Sequence, residues 1–156
     1  MIGFIAFAMM AADAVPPGEE PVDPYRHSNA NAAATPFAGK AMWTAFHGSE
    51  GVSRIVDTTV DRLIVDPRIA EIFKAHDLVR LRRTLKEQFC YVLNGGCDYT
   101  GRDMQQAHKD LGLQTADMGA LVENLQAAMR KEGIGFGAQN RFLAKLAPIK
   151  RDVIGR

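Results

Sequence analysis

From Val52 onward, apolar residues recur every three or four positions, which is the spacing of one face of an α-helix, and no useful stretch alternates as a strand would. Turn residues separate the stretches, notably Asp66 with Pro67 and the run Asn94, Gly95 and Gly96. The chain is therefore predicted to be all-α. The predicted helical stretches are 52–64, 69–73, 78–93, 104–111, 118–129 and 142–153.

Local signals refine three helix ends. Asp66 is the predicted cap of the second helix, with Pro67 in its first turn. Thr115 is the predicted cap of the helix that follows the 104–111 segment, with Asp117 in its first turn. Pro148 is expected to remove a hydrogen bond from the last helix or to kink it.

Composition divides the chain into three parts. Residues 1–14 are apolar and end in an A-x-A-like pattern, which predicts a signal peptide that is incomplete because no basic residue precedes it. This run is too short to span a membrane, so we expect no stable membrane span. Residues 15–41 are rich in proline, alanine and asparagine, and they are predicted to be a disordered linker. Residues 42–156 are the predicted folded domain.

Charge and motif content exclude several functions. The net charge of +1 leaves no basic patch for nucleic acid. The four histidines and two cysteines have neither zinc-site spacing nor a nucleophile elbow around them. A haem site needs only one strong protein ligand and an apolar cleft, so His108 is a candidate. Taken alone, a lone histidine such as this is more often solvated or packed in a core.

The residues around His108 form a longer pattern. Gly95 and Gly96 are followed by Tyr99-x-Gly101-Arg102-x-Met104, and His108 comes four residues later. This stretch resembles the signature of group 1 truncated haemoglobins, in which the histidine is the proximal iron ligand. Weaker similarities extend over about 42–154, including 65–73 and 145–153. The resemblance implies a two-over-two helical sandwich over 42–156 that holds haem b, with His108 as the metal ligand.

The resemblance also implies residues that contact the haem. Four arginines are expected near its rim, where one or more would pair with a propionate, and a solvated side chain is the commoner alternative for each: Arg80, Arg82, Arg83 and Arg102. Tyr99 and Met104 match positions beside the proximal pocket, and core packing remains the alternative for each. The expected cofactor-binding residues are His108, Phe73, Leu81, Thr84, Leu85, Phe89, Tyr99, Arg102, Met104 and Met118.

The expected distal pocket differs from the family pattern. Oxygen-retaining relatives carry a tyrosine on the second helix of the fold and a polar residue on the distal helix. Here Thr59 and Val60 occupy the former positions. We therefore expect weak oxygen retention and quick autoxidation unless a threonine donates a hydrogen bond; a register slipped by one residue would bring in Tyr91 instead. The expected distal residues are Thr59, Val60, Leu81, Thr84 and Leu85.

Several functions remain open at this point. The first is binding of a diatomic gas, O2, NO or CO, by a monomer that has an unknown reductase as partner. The second is enzymatic, either nitric oxide dioxygenation or peroxidase-like detoxification. The third is a sensor or a helical domain that has lost haem. If the protein is exported, for example to a periplasm, two states are open for Cys90 and Cys97: a disulfide, or one buried and one exposed thiol. In a cytoplasm both are expected to stay reduced.

Overall fold

The computed structural model describes residues 14–156, and every regular element in that range is helical. This confirms the predicted all-α class. A short 3-10 helix, Asn29–Ala32, precedes the α-helices, and a second one, Ala147–Ile149, separates the last two. The α-helices are α1 (Ala41–Ala45), α2 (Gly48–Leu63), α3 (Ala70–Lys74), α4 (Leu78–Val92), α5 (Met104–His108), α6 (Thr115–Lys131), α7 (Phe136–Leu146) and α8 (Lys150–Val153).

The core forms where α2 packs against both α4 and α6. Three phenylalanines from different parts of the chain interlock there: the Phe142 ring lies 5.0 Å from Phe46 and 4.9 Å from Phe89, both edge to face. Aromatic pairs prefer this geometry because the positive ring edge meets the negative ring face. The buried apolar residues around them are Met42, Val52, Ile55, Val56, Val60, Val92, Leu93, Leu125, Ala128, Met129, Ile134 and Ala138.

Helix ends agree with the predictions in one place and differ in two. Pro148 interrupts the predicted last helix, since α7 ends at Leu146 and the chain continues as the 3-10 turn that contains Pro148. α3 begins at Ala70 rather than at Pro67, because Asp66 caps a preceding turn in which its carboxylate accepts the Arg68 N–H. The cap of α6 lies at Gln114, one residue before Thr115, and the Asp117 carboxylate accepts the Gln114 N–H.

Residues 15–40 form what we call the N-terminal strap, and here the structure differs from the predicted disordered linker. The strap contains the Asn29–Ala32 turn, and Ala32 is completely buried against Tyr99 and Met104. The Phe37 N–H donates to the Val92 carbonyl at 2.8 Å. Proline-rich composition predicted disorder because it lacks a repeating apolar face. The strap instead relies on single buried residues and on polar contacts to the domain.

The predicted signal peptide lies almost entirely outside the described residues, which begin at Ala14. Within 14–156, no helix combines the length and the apolar character needed to cross a membrane.

Candidate functional site

His108 is the last residue of α5, a single helical turn. Asp103 caps this turn, because its carboxylate accepts the Gln106 N–H at 2.8 Å. The Nδ1 atom of His108 lies 2.7 Å from the Met104 carbonyl oxygen. A carbonyl only accepts, so Nδ1 carries the proton and Nε2 keeps its lone pair. A hydrogen bond from the other ring nitrogen to a carbonyl is what commonly orients a metal-binding imidazole.

The surroundings of His108 favour a neutral imidazole. Burial lowers the pKa of His108 below its ordinary value of 6.5, the Met104 carbonyl partly opposes this, and the charge of His76 lowers the pKa further. His76 was not predicted as a site residue, and no sequence signal pointed to it; it lies close enough to His108 to affect its protonation. No three His, Cys, Asp or Glu side chains cluster as a metal site within residues 14–156.

The loop before α5 explains the motif that precedes His108. Tyr99 is buried, which raises the pKa of its phenol, and its hydroxyl donates to the Arg102 carbonyl at 2.9 Å. A Cβ on Gly101 would lie 2.3 Å from the Tyr99 hydroxyl oxygen, so the tyrosine needs glycine there. Met104 packs with Tyr99 in the same small cluster. Tyr99, Gly101 and Met104 therefore set the path of the chain into α5.

The predicted distal residues lie on two neighbouring helices, α2 and α4. Leu81, Thr84 and Leu85 are half-buried and share one face of α4, since they are three and four positions apart. Thr59 and Val60 are buried on α2. The structure thus brings all five predicted distal residues to one pair of packed helices.

Both distal threonine hydroxyls are bound to their own helices. The Thr59 hydroxyl donates to the Ile55 carbonyl at 2.7 Å, and the Thr84 hydroxyl lies 2.9 Å from the Arg80 carbonyl. A hydroxyl has a single proton to donate. In this structure neither threonine therefore directs a donor away from its helix.

The remaining predicted contact residues occupy different surroundings. Phe89 is buried in the main core against Phe142. Phe73 is half-buried and packs on the cluster that contains Leu63, while Met118 is half-buried on α6. Tyr91, the alternative distal residue, is half-buried and touches two apolar clusters.

The four arginines expected near a haem rim all contact protein groups in the structure. Arg82 pairs with Asp57 and Asp61 of α2, at 3.1 and 2.5 Å. Arg83 pairs with Glu19 and Glu87. The Arg102 guanidinium lies 5.7 Å from the centre of the Tyr25 ring, a cation–π distance.

Arg80 differs from the other three. Its Nη2 donates to the Glu20 carbonyl and lies 3.3 Å from the Glu19 carboxylate. Its Nε atom lies 3.8 Å from the Asp77 carboxylate, and among residues 14–156 it is buried without a hydrogen-bond partner. A buried donor left unpaired is costly. Arg80 is therefore the one of these four arginines whose described surroundings leave a donor unsatisfied.

Cys90, in the last turn of α4, meets Cys97 in the loop that leads to α5. Their Cα atoms are 5.7 Å apart, which is within the usual range for a disulfide. Gly95 lies inside this loop, and a Cβ there would be 2.6 Å from the Trp43 ring and 2.7 Å from the Cys90 sulfur. The tight turn between the two cysteines therefore depends on a residue without a side chain.

The family model for bacterial-like globins matches residues 41–154, well over half of the chain. The chain therefore belongs to the bacterial-like globin family.

Relatives within that family are group 1 truncated hemoglobins, which confirms the resemblance found in the motif. GlbN of Synechocystis is 29% identical over 125 residues, covering 74% of this chain and 98% of the relative. LI410 of Chlamydomonas moewusii is 27% identical over 143 residues, covering 87% and 83% respectively. The crystal structure of truncated hemoglobin from Tetrahymena pyriformis in its Fe(III) form superposes with a TM-score of 0.71 at 23% identity, covering 74% of this chain and 98% of that one. The predicted two-over-two fold is thereby confirmed.

Proposed function

We propose that this chain is a haem b protein that binds diatomic gases, O2, NO or CO, at an iron held by His108. The observation that carries the proposal is the bond between Nδ1 of His108 and the Met104 carbonyl, which leaves Nε2 as the ligand nitrogen. Membership of the globin family and the single-turn position of His108 support it.

The residues around His108 fit a haem. The imidazole is half-buried and kept neutral by its surroundings, which is the form that donates a lone pair to iron. Half-buried apolar side chains on α3, α4 and α6 supply an apolar lining: Phe73, Leu81, Leu85 and Met118. When bound, haem would supply the iron that takes the gas, and the protein would supply the fifth ligand and a largely dry surrounding.

The distal side favours quick release of oxygen. Leu81 and Leu85 offer no donor, and the hydroxyls of Thr59 and Thr84 are directed at helix carbonyls. Bound oxygen carries partial negative charge, and a charge-assisted hydrogen bond to it is worth about 1.5–3 kcal/mol. CO gains less from such a bond. We therefore propose that this protein favours O2 over CO less strongly than a globin whose distal pocket contains a hydrogen-bond donor.

Arg80 is our candidate partner for a haem propionate. Like Arg82 and Arg83 it pairs with carboxylates, here Glu19 and Asp77, but among residues 14–156 no acceptor forms a hydrogen bond with its buried Nε atom. A guanidinium presents several donors in a fixed fork, so it can keep one carboxylate while binding another.

Absorption spectroscopy of the full chain tests the proposal. The protein reconstituted with haem is expected to show a Soret band in the ferric, ferrous and CO-bound forms. His108→Ala should abolish this spectrum, because the iron loses its protein ligand. His47→Asn is the matched control: His47 is exposed and bound to Glu132, and asparagine tolerates its left-handed backbone. An unchanged spectrum in His108→Ala would reject His108 as the ligand.

The same preparation addresses the enzymatic alternative. Consumption of nitric oxide by the oxygen-loaded protein, repeated over many turnovers with an added reductant, would indicate a dioxygenase rather than a binder. We expect a single turnover at most, because bound oxygen without a distal donor dissociates quickly.

We further propose that the protein is exported and that Cys90 and Cys97 form a disulfide. The 5.7 Å separation of their Cα atoms supports the bond, and an oxidising compartment such as a periplasm would maintain it.

A further inference from the structure

The N-terminal strap lies entirely ahead of the family match, which begins at residue 41. It nevertheless contacts both α4 and the loop that leads to His108. We infer that residues 19–32 of the strap are positioning residues, which hold the loop 98–103 against α4 and thereby fix α5 and the direction of the His108 imidazole. The inference rests on the proposed function only where the imidazole is taken as an iron ligand.

Polar side chains of the strap bind three successive residues of the loop. Asn29 accepts the Tyr99 N–H at 2.8 Å, and the Tyr25 hydroxyl donates to the Thr100 carbonyl at 2.6 Å. Asn31 donates to the Gly101 carbonyl at 3.3 Å. The backbone that carries the motif is thus held by side chains from outside the motif.

The strap is also bound to α4. The Glu19 side chain is 1% exposed and contacts the guanidinium groups of Arg80 and Arg83. Gln88, a buried residue of α4, donates to the Ala32 carbonyl at 3.0 Å. The strap therefore makes one attachment near the start of α4 and another near its end.

The two sets of contacts meet at the loop. Arg83, which binds Glu19, also donates to the Thr100 hydroxyl at 2.7 Å. The Thr100 N–H donates to Glu87 of α4 at 2.9 Å. The strap, the distal helix and the loop form one connected polar network, so a shift of the strap moves the loop relative to α4.

The last step leads from the strap to the imidazole. Ala32 is fully buried against Met104, and the Met104 carbonyl accepts the Nδ1 proton of His108. Packing at Ala32 therefore acts on the residue whose carbonyl orients the ring. Because α5 is a single turn, it has little stability of its own and depends on such neighbours.

Hydrogen–deuterium exchange of the haem-free full chain tests the positioning role without any cofactor. The double variant Asn29→Ala, Asn31→Ala removes the side-chain bonds to residues 98, 99 and 101. We expect exchange of peptides covering 98–108 to rise about tenfold, while peptides from the α2–α6 core stay unchanged. Asp23→Asn, an exposed strap residue without a hydrogen bond to the loop, is the matched control. Unchanged exchange of 98–108 in the double variant would overturn the inference.

The haem-loaded protein provides a second measurement, the iron–histidine stretch. This band would not change if the strap only stabilised the fold without orienting the imidazole. Resonance Raman measurement of the ferrous iron–histidine stretch should show a shifted or broadened band in the double variant and in Tyr25→Phe, and the parent band in Asp23→Asn. An unshifted band in both variants would reject positioning of the imidazole. If the parent protein binds no haem, the proposed function fails, and the exchange experiment still decides whether the strap holds the loop.

Discussion

At the scale of single residues, two hydroxyl groups and the absence of a tyrosine hydroxyl determine which hydrogen bonds the proposed distal pocket can offer a gas. Thr59 and Thr84 each donate to a carbonyl one turn earlier in their own helix. Val60 is fully buried where the family pattern has tyrosine. The polarity of the pocket is therefore set by side-chain direction as much as by residue type.

Val60→Tyr is expected to restore a distal donor. In the haem-loaded protein it should slow oxygen dissociation about tenfold or more, by adding a hydrogen bond to the bound gas. The larger side chain must displace neighbours in a packed core, so the free energy of unfolding should fall by about 1–3 kcal/mol. Stopped-flow oxygen release measures the first effect and chemical denaturation the second.

Val60→Phe is the control, because it adds nearly the same volume without the hydroxyl. It should destabilise the protein to a similar extent and leave oxygen release close to that of the parent. Equal slowing by both variants would mean that bulk, rather than a hydrogen bond, retains the gas.

His108 also predicts a pH dependence of stability. Burial lowers its pKa in the folded protein below the ordinary 6.5, so the unfolded chain takes up the proton more readily. The stability that the neutral His108 side chain contributes to the folded protein is fully present above the ordinary pKa of 6.5. It is lost as the pH falls through the lower pKa of the folded state. Chemical denaturation of the haem-free protein from about pH 8 to about pH 5 should show this fall.

His108→Gln isolates the contribution of this one group, since glutamine does not titrate. The difference in unfolding free energy between parent and variant should change across the acidic range and be constant above it. A difference that is independent of pH would contradict the lowered pKa.

Residue identity allowed some of these features to be predicted and not others. The motif indicated His108, and the missing tyrosine at Val60 indicated a poor donor set. The direction of the Thr84 hydroxyl depends on one side-chain rotation, and the pairing of Arg83 with Glu19 joins residues 64 positions apart. Neither leaves a periodic signal in the sequence.

At the scale of helices, periodicity predicted the long elements and local chemistry misplaced some of their ends. α2 and α4 follow the apolar spacing because each buries one face in a shared core. The predicted cap of α6, Thr115, lies one residue after the observed cap, Gln114. Threonine is the more common cap residue, so the sequence favoured it over glutamine. Single turns such as α5 carry too few apolar positions for periodicity to define them.

The proposed disulfide between Cys90, at the end of α4, and Cys97 can be tested directly. If Cys90 and Cys97 are bonded, the unfolded and unreduced protein should contain no titratable thiol, and mild reduction should release two. The bond closes a loop of residues seven positions apart, which is expected to stabilise the protein by about 2–3 kcal/mol.

Cys90→Ser with Cys97→Ser provides the comparison. The double variant should melt at a lower temperature than the oxidised parent and at nearly the same temperature as the reduced parent. Thiols that titrate in the unfolded protein before any reduction would contradict the disulfide.

At the scale of the whole molecule, the N-terminal strap is part of the folded unit. Composition alone could not predict this, because the strap buries only single residues such as Ala32 and places the Glu19 carboxylate between two distant arginines. Contacts of this kind are visible only when the whole fold is assembled.

Glu19→Gln should destabilise the protein, because Arg80 and Arg83 would lose a carboxylate that is buried between them. We expect the free energy of unfolding to fall by about 1–3 kcal/mol, measured by chemical denaturation. Asp23→Asn removes a charge from the same strap at an exposed position and should have almost no effect. Equal stability of the two variants would show that Glu19 contributes no more than a solvated carboxylate.

The loop between α4 and α5 carries a motif from the family domain but is held in place by residues outside that domain. Its residues carry the motif shared with distant relatives, while much of the backbone bonding that shapes it comes from a stretch ahead of the shared domain. Transplanting residues 41–154 into another globin would therefore transfer the signature without the scaffold that shapes it. A chimera that is meant to keep the conformation of this loop has to include the sequence from Glu19 onward.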